Sequence, residues 1–206
     1  RAFLLAHDTD PFNKWEAGRG LAKEVLAEMA LKGTPVRSDW LDALAAVTFD
    51  DTLDPAFRAL CLRLPGEDDL AQTIAAMGRI PDPAKVHAAR REMAGALAIR
   101  LGEGLHGLYK ELDDNAPFSP SAEQAGRRAL KIAALQLLTR RDGGKLAASA
   151  FVRARSMTEE IGALAALLDV HQGEKELTAF AARWGRDANV MDKWYALQIA
   201  TAEPAE

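Results

Sequence analysis

The chain has 206 residues, of which 49% are hydrophobic and 27% charged, a composition typical of one helical domain with a substantial core. Its 26 basic and 30 acidic residues are interspersed and give a formal net charge of −4, which argues against nucleic-acid binding. No stretch approaches the roughly 18 apolar residues of a membrane span, and the single cysteine excludes an intrachain disulfide, which suits a reducing compartment such as the cytoplasm.

The first predicted helix begins at Pro11, with Asp10 as its N-cap, and ends at Gly33. Its apolar residues recur at three- and four-residue spacings and form one stripe: Trp15, Gly18, Ala22, Val25, Leu26 and Met29. Lys14 lies outside this stripe.

Caps and prolines mark the starts of the next three helices. Ser38 is the expected cap of a second helix. Asp54-Pro55 starts a short helix through Leu64, and Asp82-Pro83 starts a longer one towards Leu101.

Serine and glycine residues divide the second half of the chain. Ser119-Pro120 opens a helix that ends at Asp142-Gly143-Gly144. Ser156 and Glu159 fit a capping box, in which each side chain accepts from the other's free backbone amide. A helix with apolar residues Leu177, Phe180 and Trp184 follows Gly173.

The last predicted helix, residues 190–200, carries two apolar lines. Val190, Trp194 and Leu197 form the first line, and Met191, Tyr195 and Ile199 form the second. A helix that is apolar on two faces needs neighbours on both sides. We therefore expect the chain to be a piece of a longer protein and to self-associate through this end.

These elements add up to about ten helices joined by short turns, with no period-two pattern that would predict a strand. Short connections favour antiparallel neighbours. The predicted fold is all-α, without a sheet: an irregular α-solenoid of stacked antiparallel helix pairs, in which residues 1–206 form a single domain.

The stretch HDTDPFNKWEAG, residues 7–18, could be read as a metal loop or as the start of a helix. Counted from Asp8, the glycine and glutamate positions of a calcium loop hold Asn13 and Arg19. The other three histidines lie on separate predicted helices or at helix ends, which does not indicate a zinc site. Helix capping by Asp10 is the favoured interpretation.

The segment GEGLHG, residues 102–107, matches the spacing of a dinucleotide-binding fingerprint. That motif requires a preceding strand, whereas a helix is predicted here. The segment is therefore interpreted as a weak point or kink in the helix.

Catalytic constellations are absent from the sequence: it contains neither H-E-x-x-H nor G-x-S-x-G, and Cys61 lies between leucines as a small apolar residue would. Two further sets of charged pairs are interpreted as structural. The carboxylate pairs lie near helix ends: Asp50-Asp51, Asp68-Asp69, Asp113-Asp114 and Glu159-Glu160. The basic doublets are interpreted as solvated helix faces: Arg90-Arg91, Arg127-Arg128 and Arg140-Arg141.

Four motifs in order along the chain resemble bacterial aminopeptidase N, the alanyl aminopeptidase family of zinc metallopeptidases. They are FNKWEAG (12–18), LDPAFRALCLRLP (53–65), SMTEEIGALAAL (156–167) and VMDKWYALQ (190–198). The resemblance covers nearly the whole chain and implies the first part of the family's C-terminal α-helical domain. The family's zinc ligands, general base and substrate motif have no counterpart in this sequence.

The resemblance implies a division of labour within a larger enzyme. Zinc in the catalytic domain of the parent enzyme polarises the scissile carbonyl and activates water. The helical domain contacts the other domains of the same polypeptide, encloses the active-site chamber and restricts access of peptide substrates. This chain would supply no catalytic, metal-binding or cofactor-binding residue.

Seven residues of the shared motifs are expected to serve packing or contact between domains: Trp15, Gly18, Met157, Thr158, Met191, Asp192 and Trp194. A second hypothesis stays open, in which the chain is a free-standing HEAT-like helical scaffold that binds protein partners on a concave face. The order of the motifs favours the aminopeptidase domain.

Overall fold

The computed structural model describes residues 1–113 and 117–202, and within these ranges the chain forms eleven helices and no strand. The helices are α1 (Ala2–His7), α2 (Pro11–Lys32), α3 (Ser38–Phe49), α4 (Pro55–Cys61), α5 (Glu67–Ala76), α6 (Pro83–Leu112), α7 (Ala122–Asp142), α8 (Lys145–Arg153), α9 (Met157–Leu168), α10 (Glu174–Trp184) and α11 (Ala188–Thr201). The all-α prediction is confirmed. Asp114, in one of the carboxylate pairs, lies outside the described residues.

Aspartate caps followed by proline start three helices, as predicted. The Asp10 carboxylate accepts a hydrogen bond from the Asn13 amide at 2.9 Å. Asp54 and Asp82 likewise accept from backbone amides in the first turns of α4 and α6. The capping interpretation of residues 7–18 is thereby confirmed.

Two predicted serine caps are wrong. The N-cap of α3 is Arg37, which makes no side-chain cap hydrogen bond, and Ser38 is the first helical residue. The Asp39 carboxylate accepts from the Trp40 amide in the first turn. The helix predicted from Ser119-Pro120 begins two residues later, at Ala122. The Ser119 hydroxyl accepts from the Ser121 amide in a local turn, and Ser121 caps the helix.

The capping box at α9 is half confirmed. The Ser156 hydroxyl accepts from the Glu159 amide at 3.2 Å. The Glu159 carboxylate accepts from the Arg155 amide at 3.0 Å, one residue before the predicted donor. Its other oxygen holds the Lys131 ammonium at 3.0 Å, which couples this helix start to α7.

Some boundaries differ from the predictions, and three helices were not predicted individually. These are α1, α5 and α8. The short helix α4 ends at Cys61 instead of Leu64, and α6 continues past Leu101 to Leu112. Lys14 lies outside the apolar stripe of α2, yet it is only 5% exposed, because its ammonium donates to the Ala6 carbonyl of α1.

One continuous core extends from Leu5 in α1 to Val190 in α11. Helix α7 is central to it and contacts α4, α6, α8 and α9, while α10 and α11 both pack against α9. Of the described helices, none is long and apolar enough to cross a membrane.

The two apolar lines of α11 have different environments. Val190 is buried, and Trp194 and Leu197 pack against the core, as the first line predicts. On the second line, Tyr195 and Ile199 are 56% and 78% exposed. Self-association through this face stays a prediction.

Helix α6 is interrupted at Gly102, where φ is 47° and ψ is −130°. Only glycine adopts this region of backbone space readily, because it has no Cβ. The predicted kink in residues 102–107 is confirmed, and a single residue produces it. The kink lets the second arm of α6 run close to α3, where Gly104 approaches the Phe49 ring.

Replacing Gly102 with alanine is expected to lower the free energy of unfolding by about 1–3 kcal/mol, because alanine would hold a strained backbone. Urea unfolding followed by circular dichroism measures this change. Gly95→Ala is the matched control in the same helix, since Gly95 has ordinary helical φ and open space around its Cα. The control should raise stability by about 0.5–1 kcal/mol, and equal effects of the two variants would contradict the strain argument.

Candidate functional site

The described chain contains a cleft of about 720 Å³, within the range of roughly 300–1,000 Å³ typical of ligand sites. Side chains from α2, α6, α7 and α9 line it, together with the end of α4, the segment that leads into α5 and the C-terminal end of α11. Helices distant in sequence thus build one site.

Cationic side chains predominate in the lining of this cleft. The five arginines are Arg19, Arg63, Arg90, Arg91 and Arg140. Two histidines, His87 and His171, also lie in the lining, and its carboxylates are Glu67 and Asp169. The cleft therefore carries a local excess of positive charge on a chain whose net charge is −4.

Three of the arginines are held by acidic partners. The Arg140 guanidinium contacts Asp169 at 2.7 Å, and Arg90 lies 3.5 Å from Glu67 while its Nε donates to the Pro65 carbonyl at 2.7 Å. Arg19 pairs with the Asp69 carboxylate. These contacts fix the guanidinium groups in the wall of the cleft.

The other two arginines, Arg63 and Arg91, make no side-chain hydrogen bond or ion pair with residues 1–113 or 117–202. Arg63 is exposed after α4, and Arg91 is half-buried on α6.

The pKa of Arg140 is lowered, mainly by burial of its guanidinium. Asp169 raises this pKa, and the like charges of Arg91 and Arg90 lower it. The positive charges of Arg90 and Arg91 therefore lie close enough to Arg140 to disfavour its charged form.

Apolar side chains also line the cleft. The leucines of the lining are Leu60, Leu62, Leu64, Leu137, Leu168 and Leu197. A lining that contains both apolar and cationic groups suits a ligand that has both apolar and anionic parts.

The seven predicted contact residues lie in three separate places. Trp15 and Gly18 lie together on α2, Met157 and Thr158 start α9, and Met191, Asp192 and Trp194 lie on α11. Of the seven, only Trp15 reaches the cleft, where Arg19 stacks 5.6 Å from the centre of its ring. The expectation of contacts between domains is untested for all of them.

Close packing explains two of these residues. A Cβ on Gly18 would lie 2.7 Å from Leu5, so glycine permits the close approach of α1 to α2. The Trp194 indole donates to the Leu177 carbonyl at 3.0 Å and ties α11 to α10. Thr158 and Asp192 are exposed.

Trp15, Gly18 and Cys61 line a second, small pocket of about 20 Å³. Cys61 is half-buried, and burial raises the pKa of its thiol from 9.0 to about 11. The thiolate is the reactive form of cysteine, so the structure agrees with the apolar role inferred for Cys61.

Cys61 should therefore react slowly with iodoacetamide near pH 9, and markedly faster once the chain is unfolded in urea. Mass spectrometry of the alkylated chain measures the rates, and equal rates in both states would contradict the burial argument.

The raised pKa of Cys61 also makes the free energy of unfolding depend on pH. The contribution of Cys61 to stability is full below about pH 9, where both states keep the proton, and is lost between about pH 9 and pH 11 as the unfolded thiol ionises. Cys61→Ser is the control that should remove this part of the pH dependence.

No group of three or more His, Cys, Asp or Glu side chains that could hold a metal ion occurs within residues 1–113 and 117–202. In the stretch first considered as a metal loop, the Asp8 carboxylate accepts from the Asp10 amide at 2.9 Å. The acidic side chains there thus serve the start of α2.

The arginines of the cleft were not identified from sequence. The doublets containing Arg90, Arg91 and Arg140 were interpreted as solvated helix faces, but all three residues are half-buried in the cleft wall. The apolar residues flanking each doublet were a weak signal of partial burial. Their convergence depends on the packing of α6 against α7, which no local pattern records.

Comparison with known proteins places the whole chain in one family. The family described as "Domain of unknown function (DUF3458_C) ARM repeats" matches residues 1–206. Aminopeptidase N of Caulobacter vibrioides is 38% identical over 212 residues, which cover 99% of this chain and 24% of that protein. Aminopeptidase N of Escherichia coli is 27% identical over 209 residues, which cover 97% of this chain and 23% of that protein.

A solved structure shares the fold. The crystal structure of Legionella pneumophila aminopeptidase A in complex with aspartic acid matches 96% of this chain and 24% of its own, with a TM-score of 0.80 and 21% sequence identity. The chain thus spans about a quarter of the length of the curated relatives that it matches.

Proposed function

The chain belongs to the DUF3458_C family of ARM-repeat domains, and from this membership we propose that it is a non-catalytic helical domain of a zinc-dependent aminopeptidase N. In that enzyme, which removes N-terminal residues from peptides, the domain encloses the active-site chamber and restricts substrate access. The observation that carries the proposal is the match of the whole chain to about a quarter of Aminopeptidase N. The same match does not favour a free-standing HEAT-like scaffold.

The cleft is the surface that we assign to the chamber wall. A wall that limits access has to be concave and rigid, and the cleft is built from side chains of helices that share one core. Ion pairs from Arg140 and Arg90 hold parts of this wall in place. The remaining walls belong to other domains of the same polypeptide.

The zinc of the proposed enzyme has no ligand set among residues 1–113 and 117–202. These residues therefore do not fit a zinc site, and no step of peptide hydrolysis is assigned to them. Zinc and the catalytic groups are assigned to the catalytic domain, and the present chain contributes shape and charge around the substrate.

Filling the cleft tests this role. In the longer polypeptide that contains this chain, Ala133→Trp should lower kcat/KM for long peptides more than for an aminoacyl-p-nitroanilide, because Ala133 lines the cleft and the small substrate does not extend along it. Ala182→Trp is the matched control, since Ala182 is exposed on α10. Equal effects on both substrates would contradict the chamber role.

The isolated chain is a second control. We expect no hydrolysis of an aminoacyl-p-nitroanilide by the purified chain, even with added zinc. Turnover that increases in proportion to the chain would overturn the assignment of catalysis to another domain.

A further inference from the structure

The cleft concentrates positive charge against the sign of the whole chain. Five arginines line it and only two carboxylates, Glu67 and Asp169, lie in the same lining. A concave surface with charge of one sign focuses the electrostatic field and attracts ligands of the opposite sign. An anionic ligand is therefore the occupant favoured by charge complementarity.

Two guanidinium groups are available to such a ligand. Arg90 and Arg140 already contact acidic side chains, whereas Arg63 and Arg91 have no side-chain partner within residues 1–113 and 117–202. Guanidinium groups pair with carboxylates through two parallel N–H donors, in a geometry that single-point cations do not match. Arg63 and Arg91 can bind carboxylates without breaking an existing ion pair.

The apolar part of the lining distinguishes among anionic ligands. Six leucines line the same cleft, and those among them that are not buried offer contacts to aliphatic side chains. A nucleic acid is bound chiefly through its phosphates by extended basic surfaces, whereas the basic residues of this chain are interspersed with a larger number of acidic ones. A peptide with both apolar and carboxylate side chains matches both features.

We propose that the cleft binds an extended peptide segment bearing carboxylate side chains, and that Arg63 and Arg91 pair with those carboxylates. The leucines of the cleft accept the intervening apolar side chains. Solenoid proteins use concave surfaces of this kind for extended ligands. The binding requires only this chain, so it can fail or succeed independently of the aminopeptidase role proposed above.

The test uses the purified chain and a fluorescein-labelled peptide of alternating Glu and Leu, compared with a peptide of alternating Gln and Leu. Fluorescence anisotropy should show tighter binding of the Glu peptide, with an affinity that falls as sodium chloride rises. The double variant Arg63→Glu/Arg91→Glu should weaken binding of the Glu peptide by about tenfold or more, because two favourable pairs become repulsive.

The matched control is Arg79→Glu/Arg186→Glu, which changes the net charge equally at two exposed arginines outside the cleft. It should leave the affinity within about twofold of the unaltered chain. Circular dichroism establishes that both variants are folded, and Arg63→Gln/Arg91→Gln replaces the charge reversal if that variant unfolds.

Three results would overturn the proposal. Equal affinities for the Glu and Gln peptides would exclude recognition of carboxylates, and this comparison needs no variant. An equal loss in the control variant would show that net charge, and not the cleft, determines binding. Tighter binding of a single-stranded RNA than of the Glu peptide at the same salt concentration would identify the cleft as a nucleic-acid site.

Discussion

Replacing Trp40 with alanine is expected to lower the free energy of unfolding by about 3–5 kcal/mol, the usual range for removing a buried tryptophan. Trp40 is 2% exposed and lies in α3, where it lines the small pocket beside Leu44 and Cys61. Its removal would join a new cavity to that pocket, and the surrounding helices can collapse only in part.

Urea unfolding followed by circular dichroism measures the effect of Trp40→Ala. Trp40→Phe retains much of the apolar volume and should lose less than half as much. Ile80→Ala is the surface control, because Ile80 is 92% exposed, and it should change stability by less than about 0.5 kcal/mol. A loss below about 2 kcal/mol for Trp40→Ala would show that the site repacks.

Arg58→Ala is expected to cost about 3 kcal/mol, because this arginine satisfies the C-terminal end of α3. Arg58 is 7% exposed, and its Nε and Nη2 donate to the Thr48 carbonyl at 2.9 and 2.6 Å. That carbonyl is among the last four of α3, which lack partners within the helix. The positive charge also lies at the negative end of the helix dipole.

Two variants separate these contributions. Arg58→Lys keeps the charge but loses the fork of two donors, so it should lose less stability than Arg58→Ala. Arg58→Met keeps much of the apolar volume and loses all donors, so it should behave like Arg58→Ala. If Arg58→Met were as stable as the unaltered chain, the hydrogen bonds to Thr48 would have no net value.

Features of the fold that depend on neighbouring residues could be predicted from the sequence. An aspartate before a proline marked the starts of α2, α4 and α6, and glycines in residues 102–107 marked the kink. Features that depend on contacts distant in sequence could not. Lys14 is buried because α1 folds back over α2 and supplies a carbonyl, and α1 itself has no strong local signal.

The carboxylate pair Glu159-Glu160 in α9 shows the same difference between local and distant contacts. Glu159 belongs to the helix start, as predicted. Glu160 is only 2% exposed, lies 3.1 Å from the Arg183 guanidinium and accepts from the Trp184 indole at 3.0 Å, so it connects α9 to α10. The candidate cleft is the extreme case, because its arginines come from separate helices and converge only after folding. The sequence motifs identified the family, but of the seven residues selected from them only Trp15 lines the cleft.

The interruption of α6 at Gly102 also affects local opening of the backbone, which hydrogen exchange measures. A continuous helix of thirty residues would transmit an opening along its whole length, whereas the break divides α6 into two arms with separate ladders of backbone hydrogen bonds. The first arm carries Met93 and Leu97, both fully buried. Amide protons there should exchange with solvent more slowly than those just after Gly102, which begin a new ladder and have no partners within it.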